Sequence, residues 1–161
     1  MRIRLLLIFL CFGLTACDAM PKDPNKTLEN IRAHKVLRVG VLYNPPWAQF
    51  QPLEGIEIKL LNNYAKQLNV KPVYQHVSLD EGLDALQASR LHILAGGLTT
   101  DSGFHEHTAL TRPYIITEKD GKSYEHILAV PRGENAFITD LERYFKSPKL
   151  LQEDSKETLK K

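Results

Sequence analysis

A run of small and polar residues in the middle of the chain has the composition of a ligand-binding turn. Residues 96–103 (GGLTTDSG) follow directly on the apolar residues 91–95. Glycines at the carboxyl end of a strand let a ligand approach backbone N–H groups closely, and hydroxyls add further donors and acceptors. In an open α/β sheet, ligands bind beyond the carboxyl ends of the strands. The pattern predicts small-ligand binding, although a polar connection that binds nothing explains the same composition.

Aromatic side chains follow a second apolar run. Residues 36–42 (VLRVGVL) lead into Tyr43, Asn44 and then Trp47, which comes after two prolines. Two prolines exclude both a helix and regular strand pairing, so the rings are held on a stiff loop. Trp47 is either a platform on which a ligand stacks or a core residue beneath the loop. Both interpretations stay open at this point.

Other groupings of reactive residues give only weak evidence for a metal site or a catalytic site. His105 and His107 flank Glu106 and have the spacing of two metal ligands in an extended segment, but no cysteine or third spaced ligand accompanies them. Solvated loop histidines are therefore the favoured interpretation. The order and spacing of Ser, His and Asp match neither a catalytic triad nor a nucleophile elbow. We predict no enzyme activity, no metal site and no cofactor.

The amino terminus has the features of a lipoprotein signal. Two arginines precede ten residues, 5–14, that are almost wholly apolar, which is too short to span a bilayer. The following LTAC resembles a bacterial lipobox, which predicts cleavage after residue 16 and lipid on Cys17. The alternative is an ordinary secretory signal with an incidental Cys17. A lipid-anchored periplasmic protein is predicted, and Asp18 resembles the signal for retention in the inner membrane.

The charge balance excludes some partners. The chain has 21 basic and 19 acidic residues, and the predicted signal peptide removes Arg2 and Arg4. The remaining chain is therefore neutral, which argues against a nucleic-acid partner or a polybasic membrane contact. Cys11 is also removed and Cys17 is acylated, so no disulfide is expected.

Strands and helices alternate along the chain. The apolar patterns predict strands at residues 36–42, 70–77 and 93–95, with amphipathic helices between them. Thr27 is predicted to cap a short first helix, and Ser78 or Asp80 to cap the third. Strand–helix–strand repeats predict right-handed crossovers and a mostly parallel open sheet with helices on both faces.

The later part of the chain predicts one antiparallel pair of strands and a last helix. Two β-type runs, 114–117 and 124–130, flank Asp120-Gly121, the favoured dipeptide of a tight hairpin. Residues 134–146 have helical periodicity. We therefore divide the chain into a signal peptide (1–16), a tether (17–26), one α/β lobe (27–147) and a charged tail (148–161).

Five pieces of this sequence, in this order, resemble a known family. They are LRVGV followed by NPPW, EGIEIKLLNNYAKQLNV, LDEGLDALQASRLHILAGGLTT, LTRPYI and HILAVPRGENAFITDLERYF. Together they resemble the first lobe of bacterial solute-binding proteins of family 3, the amino-acid type, and the version fused to membrane-bound lytic murein transglycosylases. The resemblance covers residues 36–145 and implies one lobe of a type II periplasmic-binding-protein fold.

The resemblance also implies a set of ligand contacts. Carried over by position, they lie on the loop after the first strand and on the glycine-rich turn. They are Tyr43, Asn44, Trp47, Gly97, Leu98, Thr99 and Thr100. The family's carboxylate-binding arginine is replaced by Phe104, and Arg112 is the nearest basic substitute. Without that guanidinium, a free α-amino-acid carboxylate loses its bidentate partner.

The family's second lobe has no counterpart between Tyr114 and Tyr124, where only the link 118–123 remains. We therefore expect a non-catalytic lipoprotein that binds a small polar ligand, amino-acid-like or a peptide or muropeptide fragment, on a single open lobe. A second copy or an envelope membrane protein is expected to cover the open side. The alternative is an interaction module of an envelope transporter, sensor or murein enzyme that binds no small ligand.

Overall fold

The computed structural model describes residues 23–103, 106 and 108–146. The predicted signal peptide with Cys17, the residues Phe104, His105 and His107, and the predicted tail lie outside the described residues. The helices and strands, in chain order, are α1 (Thr27–His34), β1 (Val36–Val41), α2 (Ile56–Leu68), β2 (Lys71–His76), α3 (Leu79–Gln87), β3 (Ile93–Thr99), β4 (Ala109–Leu110), β5 (Ile115–Lys119), β6 (Lys122–Val130) and α4 (Asn135–Phe145). A short 3₁₀ turn, Thr100–Ser102, follows β3 directly.

The sheet is open and has a parallel and an antiparallel part. Its strand order is β2-β1-β3-β6-β4, and β5 pairs with β6 beyond this path. β1 runs parallel to both β2 and β3, whereas β6 runs antiparallel to β3, β4 and β5. The predicted α/β fold of a single lobe is confirmed. The antiparallel part is larger than the one predicted hairpin, because β6 returns alongside β3 and also pairs with the two-residue β4.

Both faces of the sheet carry a hydrophobic core, because successive residues of a strand point to opposite faces. On β3, Ile93 and Ala95 belong to the core that includes residues of α1, α2 and α4. Leu94, between them, belongs to the second core, under α3. Helices therefore cover both faces, as the apolar strand runs predict.

The two predicted helix caps have different outcomes. Ser78 caps α3 through a capping box, in which its hydroxyl accepts from the Glu81 N–H and the Glu81 carboxylate accepts from the Ser78 N–H. The prediction for Thr27 is wrong, because Thr27 is the first residue of α1. The buried Glu134 carboxylate accepts from the N–H groups of Asn25 (2.8 Å) and Thr27 (2.7 Å) instead.

The Asp120-Gly121 hairpin is confirmed. Both residues have positive φ, 53° and 73°, as a two-residue type I′ turn requires. Lys119 and Lys122 pair across the turn, so the connection is only two residues long. The last residue pair between β3 and β6 is Thr99 with His126, and residues 122–125 pair with β5 beyond it. The hairpin therefore projects past the carboxyl end of β3.

Within the described part of the chain, no helix combines the length and the apolar character needed to cross a bilayer.

Candidate functional site

The loop after β1 meets the last residues of β3 and the turn that follows them, at the carboxyl edge of the parallel strands. β3 continues to Thr99, so residues 96–99, predicted as a turn, are the end of the strand. We call residues 43–47 and 96–102 together the crest. The Asn44 side-chain amide donates to the Gly96 carbonyl oxygen at 2.8 Å. Gly97 has a φ of +67°, and a Cβ atom added there would lie 2.5 Å from Trp47 Cδ1 and 2.7 Å from Asn44 Nδ2. Only glycine fits this bend, and the structure brings together Asn44, Trp47 and Gly97 as predicted.

Glu57 holds the crest from behind. This residue lies in the first turn of α2 and is fully buried. Its carboxylate accepts from the N–H groups of Gly96 (2.5 Å) and Gly97 (3.1 Å) and from the Tyr114 hydroxyl. The expectation that Gly97 offers a free backbone donor to a ligand is therefore wrong. Burial raises the pKa of Glu57 to about 7, although the three hydrogen bonds act in the opposite direction.

The polar residues of the turn are bonded to each other. The Thr99 N–H donates to the Ser102 hydroxyl oxygen at 2.9 Å, so this backbone donor is also occupied. Thr99 and Thr100 are half-buried, and Leu98 is buried in the core under α3. The Thr99 hydroxyl is also within hydrogen-bond distance of the Ser102 hydroxyl (3.3 Å), so these two side chains hold the turn together.

The two aromatic residues of the crest have different environments. Trp47 is 9% exposed, and its ring stacks on the His126 imidazole with centroids 3.7 Å apart. Tyr114 approaches the same indole edge-on at 6.5 Å. Of the two interpretations of Trp47, its burial favours the core residue beneath the loop. Tyr43 is 69% exposed and presents its ring to solvent.

Arg112, the predicted substitute for the missing arginine, has a partner elsewhere. Its guanidinium pairs with the Glu142 carboxylate on α4 (Nε to Oε2, 3.5 Å), and its backbone N–H donates to the same carboxylate at 2.8 Å. The guanidinium is exposed and is held by α4 instead of by the crest. The structure thus brings most of the predicted residues to one edge but gives Arg112 a different neighbour.

Two open pockets flank the loop after β1. One, of about 390 Å³, is lined by Tyr43, Phe50, Gln51 and His76. The other, of about 350 Å³, lies on the proline side and is lined by Pro45, Pro46, Gln49, Glu54, Gly55 and Lys59. Both volumes lie at the lower end of the usual range for small-molecule sites. Phe50 and His76, which line the first pocket, were not predicted from the sequence, because nothing in the local pattern brings them next to Tyr43.

Metal ligands are not grouped in the part of the chain that the structure describes: no three His, Cys, Asp or Glu side chains come together there. The two histidines considered from the sequence, His105 and His107, lie outside that part.

The fold and the sequence are similar to those of known proteins. Membrane-bound lytic murein transglycosylase F of Vibrio cholerae serotype O1 is 36% identical over 92 residues, which cover 53% of this chain and 17% of the relative. Domain 1 of TmArgBP, the ArgBP of T. maritima, in its arginine-bound form superposes with a TM-score of 0.64 and 16% identity, covering 73% of this chain and 96% of that one. An ancestral cationic amino acid solute-binding protein, AncCDT-1, has a TM-score of 0.68 and 13% identity, covering 81% and 95%.

The two structural similarities establish the fold. The chain spans only about a sixth of the length of the transglycosylase that it matches. The sequence profile of one family, the bacterial extracellular solute-binding proteins, family 3, matches residues 37–158, most of the chain. The chain therefore belongs to the bacterial extracellular solute-binding proteins of family 3.

Proposed function

We propose that this protein is a lipid-anchored, non-catalytic solute-binding protein that binds a small polar solute on a single lobe, at the crest. The observation that carries the proposal is the exposed ring of Tyr43 at the mouth of the 390 Å³ pocket. An exposed aromatic ring beside a pocket provides stacking area for a solute, and we expect the half-buried Thr100, on the other segment of the crest, to offer its hydroxyl group for a polar contact.

Two proteins of the same fold suggest which solutes to test. Domain 1 of TmArgBP was solved in an arginine-bound form, and AncCDT-1 is described as a cationic amino acid solute-binding protein. These two proteins make cationic amino acids the first solutes to test. Muropeptide fragments are also candidate solutes, because the name of the transglycosylase relative gives murein as its substrate.

In the proposed site, no buried guanidinium group binds the solute. Phe104 stands at the position of the family's arginine, and Arg112 is paired with Glu142. A charge-assisted hydrogen bond contributes roughly 1.5–3 kcal/mol, so a free amino acid loses about tenfold or more in affinity. Phe104→Arg is therefore expected to raise the affinity for a free amino acid, and Gly103→Arg is the second variant to make.

A thermal-shift screen followed by calorimetry tests solute binding. We expect a cationic amino acid, L-arginine or L-lysine, or a muropeptide fragment to raise the melting temperature of the full chain in a concentration-dependent way. Tyr43→Ala should weaken the binding of that solute. Leu53→Ala, which changes an exposed residue of the same loop (44% exposed), should leave the binding unchanged. Micromolar binding that is unchanged by Tyr43→Ala and by changes at Thr100 would refute the proposed site.

The anchor has a test of its own. Mass spectrometry of membrane-extracted protein should show an acylated amino terminus at Cys17. Cys17→Ser should release the protein from the membrane, and Cys11→Ser, in the removed segment, should leave acylation unchanged. A soluble form that begins elsewhere and carries a free Cys17 thiol would contradict the anchor.

A second function, an interaction module without a small solute, is favoured by one observation. Ile116, on the projecting hairpin, is 59% exposed. We expect this module, if it pairs with a second copy, to show concentration-dependent self-association in light scattering that Ile116→Lys abolishes. Thermal stabilisation by a solute without such association would favour the first proposal.

A further inference from the structure

We propose that Glu57 is the positioning residue of the crest, and that the proton on its carboxyl group reverses the hydrogen bond to Tyr114. The part of this inference that concerns solute affinity rests on the proposed function. The part that concerns the shape of the crest does not.

The geometry around the carboxyl group is that of a clamp. One buried carboxyl group, on α2, is the shared acceptor for two consecutive backbone N–H groups in the second half of β3 and for the hydroxyl group of Tyr114, immediately before β5. Glu57 is separated by 39 and 40 residues from Gly96 and Gly97, and by 57 from Tyr114. The carboxyl group therefore joins three elements at the point where the two halves of the crest meet.

The position of the crest depends on this clamp. Gly97 is bent at a positive φ and lies directly against Trp47 and Asn44, and the Glu57 N–H donates to the Trp47 carbonyl oxygen at 2.9 Å. Removing the carboxyl group leaves the Gly96 and Gly97 N–H groups without their acceptor in a buried place. The bend then has no bond that holds it from behind, and the loop that carries Tyr43 loses its support.

The proton changes the direction of one bond and leaves the other two in place. In the ionised form, the Tyr114 hydroxyl donates to Glu57. In the neutral form, the carboxyl O–H donates to the Tyr114 oxygen, while the second carboxyl oxygen still accepts from the glycines. The Tyr114 hydroxyl hydrogen is then released from Glu57. Because burial raises the pKa of Glu57 to about 7, both forms are populated near neutral pH.

Tyr114 is the titratable group that contacts this carboxyl group, and His126 lies beside Tyr114. Burial, together with the charge of Glu57, raises the pKa of Tyr114 well above its usual value, so its hydroxyl stays neutral. Burial lowers the pKa of His126, on β6, whose ring lies 6.4 Å from the Tyr114 ring between centroids. A transition that comes from His126 is therefore expected at a lower pH than one from Glu57.

The fluorescence of Trp47 provides a readout that needs no ligand. Trp47 is the one tryptophan in the sequence and packs against Gly97. We expect its emission to change with a midpoint near pH 7 in the wild type and to lack that transition in Glu57→Gln, which mimics the neutral carboxyl group. His126→Gln should keep the transition near pH 7. A transition that persists unchanged in Glu57→Gln, or that is absent from the wild type, would overturn the proton-dependent part.

Two variants of the same residue test the positioning role. Glu57→Ala is expected to shift the emission maximum of Trp47 to the red, because the crest opens to water, whereas Glu57→Gln restores the wild-type maximum at pH 6. If Glu57→Ala does not fold, the comparison of Glu57→Gln with the wild type carries the test. A Glu57→Ala protein with wild-type emission at every pH would show that the carboxyl group does not position the crest.

Solute affinity forms a separate arm of the experiment, with L-arginine as the probe. We expect the affinity of the wild type to differ several-fold between pH 6 and pH 8, and that of Glu57→Gln to be the same at both values. If L-arginine and the other screened solutes do not bind the wild type, the proposed function fails, while the fluorescence experiment still decides the role of Glu57. Equal pH dependence in both proteins would overturn the inference for the solute.

Discussion

The indole ring of Trp47 and the imidazole ring of His126 stack with centroids 3.7 Å apart and planes inclined by 26°. Each residue comes from a different half of the fold, Trp47 from the loop after β1 and His126 from β6, the strand antiparallel to β3. The stack thus joins the crest loop to the strand that continues into the hairpin. It explains why an aromatic residue at the expected binding position is nearly inaccessible to solvent.

Trp47→Ala is predicted to destabilise the protein by about 3–5 kcal/mol, because a large buried ring is removed and a cavity remains. Urea unfolding followed by circular dichroism measures the change. Tyr43→Ala, a change at the exposed ring of the same loop, should cost less than about 0.5 kcal/mol. A cost of under about 1 kcal/mol for Trp47→Ala would restore the interpretation of Trp47 as a surface platform for the ligand.

Glu57→Gln is predicted to change how stability depends on pH. The pKa of this carboxyl group is 4.5 in the reference state and about 7 in the folded protein, so between these values the folded state holds a proton that the unfolded state has lost. Its contribution is therefore fully present below pH 4.5 and is lost as the pH rises through 7. The free energy of unfolding of Glu57→Gln, relative to that of the wild type, should therefore rise by up to about 3 kcal/mol between pH 4.5 and pH 8.

The matched control is Glu54→Gln, three residues earlier and exposed in the connection between β1 and α2. Its difference from the wild type in the free energy of unfolding should stay constant across the same pH range. If the difference in the free energy of unfolding from the wild type is constant from pH 4.5 to pH 8 for Glu57→Gln as well, Glu57 is not the titrating group.

Glu134→Ala is predicted to cost about 2 kcal/mol or more in the free energy of unfolding, because it leaves the N–H groups of Asn25 and Thr27 without their acceptor. Thr27→Val removes only the hydroxyl group and should cost less than about 0.5 kcal/mol, well below the loss of a capping side chain. Chemical denaturation of both variants checks the pair. A larger loss of unfolding free energy for Thr27→Val than for Glu134→Ala would show that the Thr27 hydroxyl caps α1.

Gly121→Val is predicted to destabilise the hairpin by about 1 kcal/mol or more, since a β-branched residue is strained at a φ of +73°. Apart from Gly121 and its two neighbours in the chain, no heavy atom of the described residues lies within 4 Å of the position that a Cβ atom would take, so the cost comes from the backbone and not from a clash. Gly121→Asn, which tolerates positive φ, is the control and should be close to neutral. Thermal unfolding of the two variants would contradict the assignment if Val and Asn were equivalent.

Periodic and local patterns in the sequence predict most of the fold. The three parallel strands, the helices between them and the Asp120-Gly121 turn each depend on residues close together in the chain, and the structure confirms them. The Ser78 cap belongs to the same class, because its partner Glu81 is three residues away. The two-residue β4 has too short a pattern to be recognised.

The errors concern polar groups whose partners are far away in the chain. Glu57 has the sequence appearance of an ordinary acidic residue in the first turn of a helix, and its burial follows from packing against Gly96 and Tyr114. Likewise, Glu134 satisfies the start of α1 from 107 residues away. Such partners decide which N–H groups remain open to a ligand, so the sequence predicts that the two segments of the crest meet but not which of their donors are already bonded.

The two-residue connection between β5 and β6 makes this lobe an acceptor scaffold for domain grafting. The paired residues Lys119 and Lys122 hold the ends of β5 and β6 next to each other at the tip of the projecting hairpin, and neither residue belongs to the two hydrophobic cores. A guest domain whose own termini are close together can replace Asp120-Gly121 without interrupting the sheet, since exposed loop tips tolerate insertions best. A chimera with the second lobe of a family member at this point would turn the open crest into a closing cleft.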